Sequence, residues 1–141
     1  MAIDPGTKAG ARALERLRGD KIAWLASVTP DGQPQVMPIW FLWDDEAGEI
    51  LMYSAKAARR NGNVRANPKV AFHFSDDGEG NDIVALEGEA RFDAMTPAGK
   101  DNPPYLAKYG DWLREYDWTP EYFSTEYPHA IRIRPTKVRG G

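Results

Sequence analysis

The sequence contains no cysteine, which excludes disulfide bridges, thiolate nucleophiles and zinc sites built on cysteine. Histidine is scarce as well: the only two are His73, in an apolar run, and His129, directly after a proline. A lone histidine in an apolar strand is more often a structural residue than a base. No spacing indicates a Ser-His-Asp arrangement. We therefore assign no catalytic residue from the sequence.

Long apolar runs are also missing, since no window approaches the 18 consecutive apolar residues of a membrane span. The first residues lack the apolar stretch of a signal peptide. The formal net charge of −3 argues against general nucleic-acid binding. At 141 residues, the chain has the length of one domain, residues 1–141. We expect a single cytoplasmic domain that binds neither nucleic acid nor membrane.

Apolar and alternating runs predict a mainly β protein with α additions. The predicted strands cover residues 22–28, 35–43, 49–54, 70–74, 83–92 and 130–138. Most are separated by turns rich in Gly, Pro and Asp, which is typical of antiparallel hairpins. Gly88 interrupts the fifth strand and predicts a β-bulge. About six antiparallel strands with peripheral helices indicate a small β-barrel.

Helices are predicted outside the strands. Residues 1–20 form an N-terminal arm whose helix begins after Thr7 and ends at Gly19. Residues 96–128 form a helical insertion before the last strand. Within it, we expect two short helices separated by Gly110 and a third that follows the cap Thr119. A further helix is predicted over residues 56–66, after the third strand.

The stretch from Gln33 to Val70 is the most informative part of the sequence. Residues 35–43 are apolar on both faces of a strand, and Pro38 removes one ladder donor in its middle. This position therefore lies at an edge, a bulge or a split. The basic segment 56–65 follows soon after. It carries lysine and arginine, the residue types that commonly bind phosphate. A solvated helix face is the simpler alternative, but the adjacency favours a cofactor with a flat ring and a phosphate.

Two other clusters carry less weight. The acidic loop 75–82 lacks the ligand spacing of a calcium-binding loop, so we predict no metal site. Aromatic residues recur at roughly helical spacing between Trp112 and Phe123. Packing against the barrel or a second subunit is the favoured interpretation, and a cofactor pocket is the alternative. Trp40 differs, because its indole lies beside Pro38 and could contact a flat ring.

The order of these segments resembles a known family, the split β-barrel flavin and deazaflavin proteins related to pyridoxamine 5′-phosphate oxidase. The similar segments are LASVTPDGQPQVMPIWFLW, ILMYS, RNGNVRANPKVAFHF and VALEGEARF. With the C-terminal stretch YLAKYGDWLREYDWTPEYFSTEYPHAIRIRPTKVRG, they are most similar to the branch that depends on the deazaflavin coenzyme F-420. No one motif is diagnostic; the order and spacing carry the resemblance.

The resemblance implies a split β-barrel homodimer with cofactor sites at the interface. The ring would lie against the backbone of Met37, Pro38, Ile39 and Trp40. The phosphate would be held by Ser54, Lys56, Arg60 and Asn63. One departure from the family pattern is the run Arg60-Asn61-Gly62-Asn63, in which Gly62 stands where a charge is common. Arginine and lysine are not equivalent at phosphate sites, so this run bears on the choice of cofactor.

The implied function is an F-420-dependent reductase that transfers hydride to a small organic acceptor. An FMN-dependent oxidase or reductase on the same fold is the first alternative. A non-catalytic carrier of a flavin or a tetrapyrrole is the second. If the cofactor is F-420, its longer tail would need basic residues further out, for which Arg59, Arg65 and Lys69 are candidates.

The proline in the second strand yields a first test. If the interruption at Pro38 shapes a ring site, Pro38→Val should leave the unfolding temperature unchanged and weaken ring binding. Equilibrium titration with F-420 and with FMN, followed by ring fluorescence, measures the effect. Wild-type affinity in the variant would mean that the interruption at Pro38 does not shape the ring site.

Overall fold

The computed structural model describes residues 2–140, which form one antiparallel sheet flanked by helices. The strands are β1 (Ala23–Val28), β2 (Pro34–Ile39), β3 (Leu42–Asp44), β4 (Glu49–Ser54), β5 (Lys69–His73), β6 (Val84–Phe92) and β7 (His129–Gly140). The helices are α1 (Lys8–Gly19), α2 (Arg59–Ala66), α3 (Pro103–Glu115) and α4 (Pro120–Glu126), with a 3₁₀ turn at Gly99–Asp101. Within this part of the chain, no helix is long and apolar enough to cross a membrane.

The strand order β2-β1-β5-β6-β7-β4-β3 places β2 and β3 at opposite edges of the sheet. Along the chain, however, only Trp40 and Phe41 separate these two strands. Three Cα steps span at most roughly 11 Å, so the edges must meet and the sheet must curl. The result is a half-open barrel whose split lies at residues 40–41. This confirms the predicted split β-barrel fold.

The prediction of one continuous strand over residues 35–43 was wrong, and the sheet has seven strands in the described chain instead of about six. β2 pairs with β1 and β3 pairs with β4. Burial still alternates through Ile39, Phe41 and Trp43, so the apolar pattern continues across the change of partner. Pro38 lies opposite Trp24 in the edge strand β2. An edge was one of the three positions that the missing donor predicted for Pro38, with a bulge and a split.

Side chains from α3 complete the backbone hydrogen bonding at the split. The Tyr109 hydroxyl accepts the Phe41 N–H at 2.8 Å, and its one proton is shared between the carbonyl oxygens of Phe41 and Lys21, each 2.8 Å away. The Lys108 ammonium also donates to the Phe41 carbonyl at 2.8 Å, and it lies 3.7 Å from the Phe41 ring centroid. Buried backbone groups that leave a ladder require such partners. Helix α3 therefore fixes the linker that closes the barrel.

Helix α3 runs unbroken through Gly110, which corrects the prediction of two short helices. The buried residues Tyr105, Tyr109 and Leu113 recur every four residues along it, and Asn102 caps its start. A glycine in a helix interior costs about 1 kcal/mol relative to alanine. Continuous packing of this buried face outweighs that cost. The caps predicted at Thr7 and Thr119 are confirmed by hydrogen bonds to Gly10 and Tyr122.

The predicted bulge at Gly88 is confirmed by a register shift between Glu87 and Gly88 in the pairing of β6 with β7. A Cβ atom at Gly88 would lie 2.8 Å from the Arg134 carbonyl oxygen. Only glycine permits this close approach of the two strands. The bulge increases the local twist of the sheet and so favours its curling.

The half-buried lysine at the split, Lys108, predicts a pH dependence of stability. Burial lowers the pKa of Lys108 from its ordinary 10.5 to about 8. Between these values the unfolded chain binds more protons than the folded chain, so folding should gain stability as the pH rises from about 8 to 10.5. Urea unfolding of wild type and Lys108→Met across this range should give a difference that grows with pH in favour of wild type. Lys100→Met, at an exposed position, serves as the control. Parallel curves for wild type and Lys108→Met would contradict the expectation.

Candidate functional site

A cavity of about 630 Å³ opens beside the split of the barrel. One side is formed by four consecutive residues of β2 and the linker, Met37, Pro38, Ile39 and Trp40. The remaining lining residues are Met52, Tyr53, Arg60, Tyr105, Tyr116, Trp118, Phe123 and Tyr127. The four residues expected to contact a ring therefore line one cavity together, and Arg60 from the expected phosphate set joins them.

The aromatic wall of this cavity comes mostly from the helical insertion. Trp40 stacks on Tyr109 with ring centroids 4.6 Å apart and planes 5° apart, and it stacks on Phe123 at 6.1 Å. Trp118 packs edge-on against Tyr122 at 4.8 Å. Tyr116, Trp118 and Phe123 line the cavity. Both interpretations of this aromatic segment, cavity lining and packing, therefore apply to these residues. Flat, apolar walls of this kind suit a planar ligand.

Sequence analysis missed four lining residues, Met52 and Tyr53 on β4, Tyr105 on α3 and Tyr127 directly after α4. Tyr53 and Tyr105 are buried and would be assigned to the core from their pattern alone. A phenol directly after the aliphatic run ILM in EILMYS was the available signal for Tyr53. For Tyr105, the pattern gives no signal that distinguishes a cavity-lining tyrosine from a core one.

Arg60 is a half-buried cation in an apolar cavity. No carboxylate lies within ion-pair distance of its guanidinium in residues 2–140, and burial lowers the pKa of the guanidinium. The three arginines of α2, Arg59, Arg60 and Arg65, share this lack of a carboxylate. Every other arginine forms an ion pair: Arg12, Arg16, Arg18, Arg91, Arg114, Arg132, Arg134 and Arg139. A desolvated, uncompensated cation favours an anionic ligand.

A second cavity of about 550 Å³ adjoins the first and shares Met37 and Arg60 with it. Its other lining residues are Leu25, Ser27, Gln35, Val36, Ala58 and Arg59. Arg60 therefore stands between two cavities and Arg59 lines the outer one. Of the two other basic residues considered for a long tail, Arg65 lies over the Phe92 ring at 4.2 Å, and Lys69 is exposed on β5.

The other three residues expected to hold the phosphate, Ser54, Lys56 and Asn63, line neither cavity. The Ser54 hydroxyl donates to the Asn61 side chain at 2.7 Å. The Asn63 amide donates to Ser27 Oγ at 3.0 Å and to Gln35 Oε1 at 2.9 Å, which ties α2 to β1 and β2. Lys56 is exposed and lines neither cavity. Ser54 and Asn63 thus hold α2 in place, and this positions Arg60.

The histidines and the acidic loop, which could support acid-base or metal chemistry, are not part of the lining of the two cavities. His73 is stacked beside Trp24 with ring centroids 6.3 Å apart, and His129 packs edge-on against Phe92 at 5.9 Å. In the acidic loop, the Asp77 carboxylate accepts backbone N–H groups of that loop. Within residues 2–140, no cluster of three or more His, Asp or Glu side chains could hold a metal ion.

The cavity combines three properties: flat aromatic walls, an edge strand interrupted by proline, and one uncompensated cation. The residues present fit a planar, conjugated ligand that carries an anionic group, such as a flavin or deazaflavin phosphate. Among residues 2–140, no carboxylate or imidazole lines the cavity, and the ionisable side chains of its lining are Arg60 and four tyrosines. Within these residues, the lining contains no carboxylate-histidine pair.

Solved structures similar to this chain come from several functional groups. A conserved hypothetical protein from Mycobacterium tuberculosis aligns with a TM-score of 0.71 at 21% identity, over 99% of this chain and 86% of that one. An F-420 reductase aligns with a TM-score of 0.60 at 26% identity, over 89% of this chain and 94% of that one. HutZ, the heme storage protein from Vibrio cholerae, aligns with a TM-score of 0.60 at 17% identity, over 96% of this chain and 91% of that one.

Among curated proteins, no sequence matches this chain. The family model described as pyridoxamine 5′-phosphate oxidase, in contrast, matches residues 10–140, which include the whole sheet and both cavities. The match extends over the strands, the basic helix α2 and the helical insertion alike. The chain therefore belongs to the pyridoxamine 5′-phosphate oxidase family.

Proposed function

We propose that this protein is a reductase that uses coenzyme F-420 and reduces a small organic acceptor. The observation that carries the proposal is the position of Arg60, a half-buried arginine without a carboxylate partner at the junction of the two cavities. Family membership and the similarity to an F-420 reductase support it. A deazaflavin bound in the cavity would supply hydride transfer, and the protein would supply binding and orientation.

The protein's own contribution follows from the lining residues. The residues Met37 to Trp40 offer an edge strand to a flat ring, and the stacking of Trp40 on Tyr109 keeps this surface rigid. The aromatic side chains of the insertion exclude water from the other side. Arg60 would bind the phosphate, because an arginine forms charge-assisted hydrogen bonds to phosphate oxygens. These roles require orientation and desolvation, and they need no acid-base pair.

The outer cavity is the reason to favour F-420 over FMN. Both cofactors carry a phosphate, and F-420 continues beyond it into an anionic tail. Arg59 lines the outer cavity next to Arg60, so a second cation lies beyond the expected phosphate position. FMN would leave that cavity empty. The outer cavity and Arg59 therefore favour the longer, more highly charged cofactor.

We further propose that the protein acts as a homodimer. The side chains of Val36 and Met37 on the edge strand β2 are 50% and 59% exposed, next to both cavities. Apolar surface of this kind at the open edge of a sheet favours pairing with a second chain. A second copy packed there would cover the cavity mouths and exclude water from the ligand.

Binding to cofactors tests the proposed function directly. Purified protein should bind F-420 with a Kd in the micromolar range or below and FMN at least tenfold more weakly, measured by ring fluorescence at low salt. The reverse preference would assign a flavin enzyme on the same fold. Binding of hemin alone would favour a carrier, and steady-state turnover with reduced F-420 distinguishes an enzyme from a carrier.

The role of Arg60 is tested by Arg60→Ala. Loss of the charge should weaken F-420 binding by about 2 kcal/mol, roughly 30-fold, and leave the unfolding temperature unchanged. Asn63→Ala is the matched control from the same helix. It removes two buried hydrogen bonds to Ser27 and Gln35 and should lower the unfolding temperature by roughly 4–8 °C. Unaltered affinity in Arg60→Ala would remove Arg60 from the site.

The dimer proposal predicts the effect of Met37→Glu. A buried charge at the proposed interface should convert the dimer to a monomer at micromolar concentration, measured by size-exclusion chromatography with light scattering. Met95→Glu, at a position that is 89% exposed, is the control and should not change the mass. A monomeric wild type would contradict the proposal.

A further inference from the structure

The hydroxyl of Tyr105 has no hydrogen-bond partner in the described chain, although the side chain is only 1% exposed. The two neighbouring buried tyrosines differ. The Tyr53 hydroxyl donates to the Pro97 carbonyl at 2.6 Å and accepts from Asn102 at 3.1 Å. The Tyr109 hydroxyl is bonded to backbone groups at the split. A buried phenol that lacks a partner is unusual and calls for an explanation.

The cavity provides the explanation. Tyr105 lines the larger cavity. In residues 2–140, no side-chain oxygen or nitrogen that is fully sealed from solvent is left without a partner. The Tyr105 oxygen is therefore not sealed, and the small accessible part of the residue opens onto the cavity. Its free hydroxyl is available to whatever molecule the cavity holds.

The ring that carries this hydroxyl is held firmly. Tyr53 packs edge-on against Tyr105 with ring centroids 4.8 Å apart, Tyr109 lies at 4.9 Å and Phe123 at 5.6 Å. The Asn102 side chain caps α3 through the backbone N–H of Tyr105 itself. A donor fixed by packing loses little conformational entropy when a ligand binds, which makes it an effective specificity determinant.

We propose that the Tyr105 hydroxyl donates a hydrogen bond to an acceptor atom on the ring of the bound planar ligand, and so determines which ligands the cavity accepts. The proposal rests on the proposed function, because F-420 and FMN both carry carbonyl oxygens on their rings. Arg60 would recognise the anionic group, and Tyr105 would recognise the ring itself. A planar ligand without a ring acceptor would leave the hydroxyl unpaired and bind less well.

The protonation state is compatible with a donor role. Burial, together with the neighbouring hydroxyls of Tyr109, Tyr53 and Tyr127, raises the pKa of Tyr105 well above its usual value. The phenol therefore stays neutral at physiological pH and keeps its proton. Among the described residues, no carboxylate or histidine lines the cavity to accept that proton from it.

The variant Tyr105→Phe removes only the hydroxyl. Binding of F-420 and of FMN, followed by ring fluorescence, should weaken five- to tenfold for the cofactor that wild type prefers. The unfolding temperature without ligand should stay the same or rise, since no internal hydrogen bond is lost. Tyr53→Phe is the matched control on the same cavity wall. Its hydroxyl is bonded within the chain, so the loss of that hydroxyl should lower the unfolding temperature and gives the stability reference.

The outcomes separate this proposal from the proposed function. Wild-type affinity in Tyr105→Phe, with a wild type that binds F-420 or FMN, would overturn the role of Tyr105 alone. A fall in unfolding temperature as large as that of Tyr53→Phe would show that the hydroxyl has a partner in the chain, and would overturn it too. Failure of wild type to bind either cofactor would overturn both proposals together.

Discussion

Two residues, Trp40 and Phe41, join strands that lie at opposite edges of the sheet, and most of the structure depends on this short connection. It forces the sheet to curl, because the chain cannot span a flat sheet of seven strands in three residue steps. It also removes the Phe41 backbone from any ladder. The Tyr109 hydroxyl and the Lys108 ammonium from α3 replace the missing strand partner. The barrel and the helical insertion are therefore interdependent.

The same insertion that satisfies the split also builds the candidate site. One side chain of α3, Tyr109, bonds to the linker, while Tyr105, one turn earlier, faces the cavity. The ring of Trp40 is held between this helix and Phe123 of α4. A rigid wall of this kind follows from the need to cover the opening of the barrel. The candidate site thus lies where the sheet is incomplete.

The arginines form two groups, those on α2 and those on the other elements. The arginines outside α2 are neutralised by carboxylates, and Arg132 alone contacts Asp44, Glu49 and Asp93 across the sheet. Some of these pairs join neighbouring strands, as Arg134 on β7 does with Glu89 on β6, and others lie within a helix, as Arg114 does with Asp111. The arginines of α2 have no such partners in the part of the chain that the structure describes, and Arg60 is partly desolvated between two cavities. The separation of paired cations from unpaired ones distinguishes α2 from the other elements that carry arginine.

Local patterns in the sequence determined the strands other than residues 35–43, the caps at Thr7 and Thr119, the bulge at Gly88 and an edge, bulge or split at Pro38. Each depends on backbone chemistry within a few residues. The change of partner after Ile39 and the continuous helix through Gly110 were decided by tertiary packing, which a period of two or an isolated glycine does not encode. The basic segment was visible in the sequence as charge. Only the folded chain decided that Arg60 faces the cavities while Ser54 and Asn63 bond internally, because this depends on which carboxylates and amides come near, and those lie far away in the sequence.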